Sequence, residues 1–178
     1  MKETSRAGAN RGHAARMCRV AAAVAIGVVA LASAANAQNA DRIKAGVTMW
    51  RASGCSDCHG AFANGERERD ESPTGANLRT SKLDAAALKS TIGCGRPGTG
   101  MPAFDEGAYK VRACNGQALG APPSDLYPAP RTLTPDEIDA IVTYLQARIV
   151  GRGRNITKQE CLAYYDDKPD WCDSEDYK

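Results

Sequence analysis

A chain of 178 residues, 43% hydrophobic and 25% charged, is the length of one domain with extensions rather than two. Its charges nearly balance, with 23 Lys and Arg against 21 Asp and Glu, and seven cysteines stand beside only two histidines. Without a basic excess there is no electrostatic footprint for nucleic acid.

The N-terminus sets the compartment. Lys2, Arg6, Arg11, Arg16 and Arg19 lead into an alanine-rich apolar run from Val20 to Leu31, followed by Ala35-Asn36-Ala37. A basic start, a short apolar core and a small-x-small site predict a secretory signal, residues 1–37, cleaved after Ala37, and hence a periplasmic protein. A retained membrane anchor is the alternative, but the run is shorter than the ~20 residues needed to span a bilayer. Cleavage removes His13, Cys18, five basic residues and Glu3, leaving 18 cationic against 20 anionic side chains. The exported chain is then mildly acidic, with six cysteines and His59 as its single histidine. A domain over 38–150 and a C-terminal extension over 151–178 make up the rest.

Residues 40–53 place Ile43, Val47 and Trp50 on one face of a helix that ends before Gly54. Gly46 lies on the same side, where it would let another helix approach closely. Directly after comes Cys55-Ser56-Asp57-Cys58-His59. Two thiols three positions apart, with an imidazole after the second, have the spacing at which a chain forms two thioether bonds to a haem and offers the next side chain to the iron. A zinc site would want two further ligands at short spacing, and a thioredoxin-like pair would want a βαβ context. With His59 the only imidazole left, a bis-histidine haem, a second haem of this motif and a histidine-based zinc site are excluded.

The charged stretch from Asn64 to Gly75 reads as a solvated loop. Ser81 to Ile92 predicts a short helix, capped by Ser81 or Asp84, with Leu88 and Ile92 facing inward. From Gly93 to Phe104 four glycines and two prolines preclude regular structure. Met101 sits in this stiff loop, where core packing, the usual role of a methionine, is sparse. Its thioether is a soft donor able to fill the sixth position of an iron bound by His59. The other remaining methionine, Met49, belongs to the first helix. The irregular stretch then runs to about Leu133, long enough to mark function or an anchored insertion.

Thr134, Pro135 and Glu137 give a cap, a first-turn proline and a capping box, followed by an apolar stripe of Ile138, Ile141, Val142, Leu145 and Ile149. Beyond Gly153 the tail carries Tyr164, Tyr165, Trp171 and Tyr177 among seven acidic residues. It reads either as a cover for the domain or as an acidic, aromatic docking surface. Cys94, Cys114, Cys161 and Cys172 suggest two disulfides with three possible connectivities, of which loop-closure cost favours the local one, Cys94–Cys114 and Cys161–Cys172.

The chain resembles a class I, monohaem cytochrome c. The resemblance rests on Gly46-x-x-x-Trp50, Cys55-Ser-Asp-Cys58-His59-Gly60, Gly100-Met101-Pro102-Ala103-Phe104 and the closing helix from Asp136 to Leu145, and covers residues 40 to 149. It implies an all-α fold in which the N- and C-terminal helices cross, Gly46 against Tyr144, around one covalently bound haem c, with long loops. It also implies a proline segment whose carbonyl orients the proximal histidine, for which Pro73 is the match, and Leu78 packed on the macrocycle. The added loop and tail resemble those of cytochromes serving one periplasmic dehydrogenase, for example a quinoprotein. The function implied is one-electron transfer without catalysis, between a dehydrogenase and a downstream cytochrome or oxidase. The alternatives are a fixed haem subunit of a larger oxidoreductase, or a ligand-binding or catalytic haem protein with an open iron, for which no distal acid–base group is evident. A membrane enters only if the signal is retained.

Overall fold

The computed structural model describes residues 36–165 and 167–177. The predicted signal lies almost wholly outside the described residues. One compact unit ends at Asp41, its described residues 36–41 being helical; the other begins at Arg42 and holds everything below. The described residues form helices and turns, with two isolated bridges and no strand. The fold is all-α.

Helix α1 is helical over residues 42–52. It buries Trp50 and keeps Ile43 and Val47 partly buried against the core. After a two-residue turn comes α2, Cys55–His59, bracketed by Gly54 and Gly60 at φ of 69° and 81°, values that favour glycine. Helix α3, Ala85–Cys94, is capped by Asp84, whose carboxylate accepts from Ala87 N–H at 2.8 Å. It starts four residues later than the Ser81 reading, because Ser81 instead accepts from Leu83 N–H in a local turn. Helix α4, Pro135–Arg148, begins with the full capping box between Thr134 and Glu137.

Helix α4 is the spine of the core. Ile138, Ile141, Tyr144 and Leu145 are buried with Trp50, Leu88, Ile92, Phe104 and Leu133. It crosses α1 at Gly46, where an added Cβ would run into the Ala140 carbonyl and come within 2.6 Å of Tyr144 Cβ. Trp50 and Tyr144 continue the contact edge to face at 6.1 Å. On the outer side Asp139 meets Lys89 of α3 at 2.6 Å and Arg42 of α1 at 3.9 Å. These half-exposed pairs fix register more than they stabilise.

The stretch from 95 to 133 is an anchored insertion. Phe104 N–H donates to Ile92 O, Asp105 N–H to Gly93 O and Leu133 N–H to Phe104 O. Cys94 is bonded to Cys114, and with Ala108 and Tyr109 they form a small second core. The tail carries α5, Lys158–Tyr164, with a capping box from Thr157 to Glu160, and a 3-10 turn, Asp170–Asp173. Cys161 is bonded to Cys172, and both residues belong to the main core. The tail thus completes the domain's interior.

Because the Gly46 crossing meets backbone as well as side chain, Gly46→Ala should cost about 3 kcal/mol or more, the upper end for overpacking. Urea unfolding of the purified protein, followed by far-UV circular dichroism, measures it.

Candidate functional site

Helix α2 presents Cys55, Cys58 and His59 on one turn. All four other described cysteines are in disulfides, and these two are free. Burial pushes the Cys55 thiol up to about 12, with the neighbouring Cys58 adding to it. Burial and the Asp57 charge raise Cys58 as well, against a hydrogen bond with Ser72.

His59 Nδ1 lies 2.8 Å from the Ala76 carbonyl. A carbonyl can only accept, so in the neutral imidazole Nδ1 carries the proton and Nε2 is left with its lone pair. Burial lowers the His59 pKa, partly offset by this hydrogen bond, and so favours the neutral ring. That is the state and tautomer a metal-binding histidine needs, its second nitrogen oriented by a carbonyl. Trp50 flanks the ring at 5.9 Å between centroids.

Pro73 does not supply the orienting carbonyl; that role falls to Ala76, three residues on. The proline ring lies instead beside Gly100, where an added Cβ would overlap it. Gly75 explains the register. A Cβ there would sit 2.6 Å from His59 Nδ1, so a glycine before Ala76 lets the backbone come up under the imidazole. The backbone N–H of Gly75 also donates to Cys58 O at 2.8 Å, tying the segment to the same turn.

Met101 sits in a tight loop, its carbonyl accepting from Arg96 N–H at 2.9 Å and its N–H donating to Thr99 Oγ1 at 3.2 Å. The Gly100 contact with Pro73 joins this loop to the segment that leads to Ala76. Met101 and Leu78 are both partly buried against the cluster that contains Cys55. Behind the Met101 loop, Tyr109 donates to Cys94 O at 3.0 Å and Asn115 to Gly95 O at 3.4 Å, so the disulfide end of α3 is held on several sides.

The tail reaches the motif as well. Tyr164 is buried against Phe62, at 5.4 Å between centroids, with the Arg51 guanidinium 4.1 Å above its ring. Burial raises its pKa, against hydrogen bonds with Arg51 and with Ser56, the residue after Cys55.

Residues 41–113 match the family described as Cytochrome C oxidase, cbb3-type, subunit III. Over these residues the chain is similar to a class I-like cytochrome c domain. Such a domain covalently binds haem c and has a haem-based electron-transfer role. The match covers α1 to α3, the Cys55–His59 motif and Met101, and leaves out α4 and the tail. No curated protein and no solved structure matches the chain.

The residues present fit the group that the cytochrome c domain implies. Two unpaired thiols, an oriented neutral imidazole and a thioether loop joined through Pro73 form a donor set of the right chemistry. Three contributors were not legible as functional residues: Ala76, which acts through its backbone, Gly75, which acts through a missing side chain, and Tyr164, far along the chain. Placing a methyl beneath the ring, Gly75→Ala, should cost about 1–3 kcal/mol. Gly120→Ala, with nothing within 4 Å of the new carbon, should cost almost nothing. Parallel urea titrations compare the two.

Proposed function

We propose that the protein is an exported one-electron carrier, working in the periplasm after loss of residues 1–37. Cys55 and Cys58 would hold haem c through thioethers, and His59 and Met101 would be the axial ligands. The observation that carries the reading is the turn with two free thiols whose following imidazole is kept neutral, Nδ1-protonated and fixed on a backbone carbonyl. A haem held there supplies reversible exchange of one electron, with methionine ligation favouring the reduced state.

The chain's part is to hold a geometry. Ala76 keeps Nε2 of His59 available and its ring fixed. Arg96, Thr99 and the Cys94–Cys114 bridge hold the Met101 loop, so that a weak sulfur donor does not depend on its own strength to stay in place. Trp50, Leu88, Ile92 and Phe104 give the surroundings an apolar wall that limits water. No general acid or base is needed, since nothing but an electron is exchanged.

The donor is best sought among periplasmic dehydrogenases, quinoproteins included, and the acceptor among downstream cytochromes or oxidases. The tail combines the two roles that its sequence left open. Its inner face, with Cys161, Tyr164 and Cys172, covers the core. Its outer face leaves Trp171 45% exposed beside Asp170, Asp173, Glu175 and Asp176, a surface suited to a basic partner in a small, transient interface. A fixed haem subunit of a larger oxidoreductase is the second reading, favoured by the oxidase-subunit description of the matched family. Size-exclusion of the native protein from its own cells separates a free carrier from a subunit.

With the haem loaded, Met101→Ala should keep the covalent haem, lose the red-edge absorption band of iron–sulfur bonding in the oxidised protein, and gain carbon monoxide binding. An unchanged spectrum would show that another residue is the sixth ligand. Trp171→Ala should slow electron exchange with the co-purifying dehydrogenase about tenfold, as loss of about 1–2 kcal/mol of interface contact would, and leave reaction with ferricyanide unaltered. Stopped-flow absorbance reads both.

A further inference from the structure

We propose that the C-terminal tail positions the proximal imidazole: Glu160, acting through the buried guanidinium of Arg79, fixes the segment whose Ala76 carbonyl orients His59. The proposal deepens the reading above and rests on His59 as an iron ligand.

Arg79 is 1% exposed, the most deeply buried charge among the described residues. Its Nε donates to Gly153 O at 2.9 Å, and its Nη2 to Asn155 O at 2.7 Å and to both Glu160 oxygens at 3.0 Å. Gly153 N–H returns a bond to Arg79 O at 3.3 Å. Every one of these side-chain partners lies beyond residue 150. Glu160 also closes the cap of α5, its Oε2 accepting from the Thr157 N–H and hydroxyl at 2.9 and 3.1 Å. One carboxylate therefore serves as helix cap and counter-ion together.

Burying a guanidinium for stability alone is a poor solution, since an apolar side chain of similar volume often does as well. What the ion pair adds is a fixed place for Arg79. It lies three positions beyond Ala76, and the chain between them is stiff. Asn77 Oδ1 accepts from Arg79 N–H at 2.9 Å and from Thr80 N–H at 3.3 Å, and Leu78 N–H donates to Ala63 O at 2.8 Å. The segment from 76 to 79 is thus held by the motif's own loop at one side and by the tail at the other. Removing the tail's hold lets the Ala76 carbonyl drift from His59 Nδ1. A weaker bond at Nδ1 makes the imidazole a poorer donor, which disfavours the oxidised iron.

The test uses the haem-loaded protein and its Glu160→Gln variant, with Arg79→Lys as a second break in the same link and Thr157→Ala as a control that weakens the α5 cap while leaving the ion pair. Two readouts are taken: the midpoint potential by spectroelectrochemistry, and the exchange rate of the His59 Nδ1–H by proton NMR. Glu160→Gln and Arg79→Lys should both raise the potential and speed that exchange at least several-fold, while Thr157→Ala moves neither. Unchanged potential and exchange in both link variants would overturn the proposal. So would equal shifts in Thr157→Ala, which would reduce the effect to loss of α5. The His59 ring protons of the wild type are read in the same spectra. If they lack the paramagnetic displacement of an iron ligand, the ligand reading falls, and this proposal with it; if they show it and the link variants are silent, only the positioning role falls.

Discussion

The hydrogen bond from His59 to the Ala76 carbonyl constrains more of this molecule than its single donor and acceptor suggest. To make it, the chain after α2 must turn back under the imidazole, which calls for a glycine at 75 and brings Pro73 against Gly100. The loop holding Met101 is thereby set by the same turn that sets His59. Leu78 and Arg79 follow within three residues, one against the core and the other into the tail. The tail's burial, the insertion's anchoring and the motif's orientation meet in this one segment.

The scaffold around it depends on a second close approach. Helix α4 can lie on α1 only because Gly46 has no side chain, and Trp50, one turn on, fills the space between Tyr144 and His59. The crossing and the imidazole therefore share one indole as neighbour. The two disulfides act differently, each closing a short segment, 20 and 11 residues apart in sequence, onto a core already made by the helices.

Much of this was legible because it is local. Thr134, Pro135 and Glu137 announce the start of α4 within four residues, and the Cys55–His59 motif carries its chemistry in its spacing. The start of α3 was less so, since Ser81 and Asp84 are both competent caps and only packing chooses between them. Helix α5 has a capping box at Thr157 and Glu160, but seven residues give too short a run for periodicity to register. Ala76 could not be found by residue type, because a carbonyl belongs to every residue; the resemblance drew attention to a proline ring three positions away. Arg79 and Glu160, 81 residues apart, look like two ordinary surface charges until the fold joins them.

The burial of Cys55 has a consequence for how the protein is made. The six described cysteines can pair in fifteen ways, and oxidising conditions open all of them to an unfolded chain. In the finished fold the Cys55 thiol is enclosed and held protonated, its pKa pushed up to about 12. Since the thiolate is the reactive form, the folded domain is a poor substrate for any bond-forming step at this position. A haem joined to this position, as proposed, would therefore have to be attached before the core closes over α2.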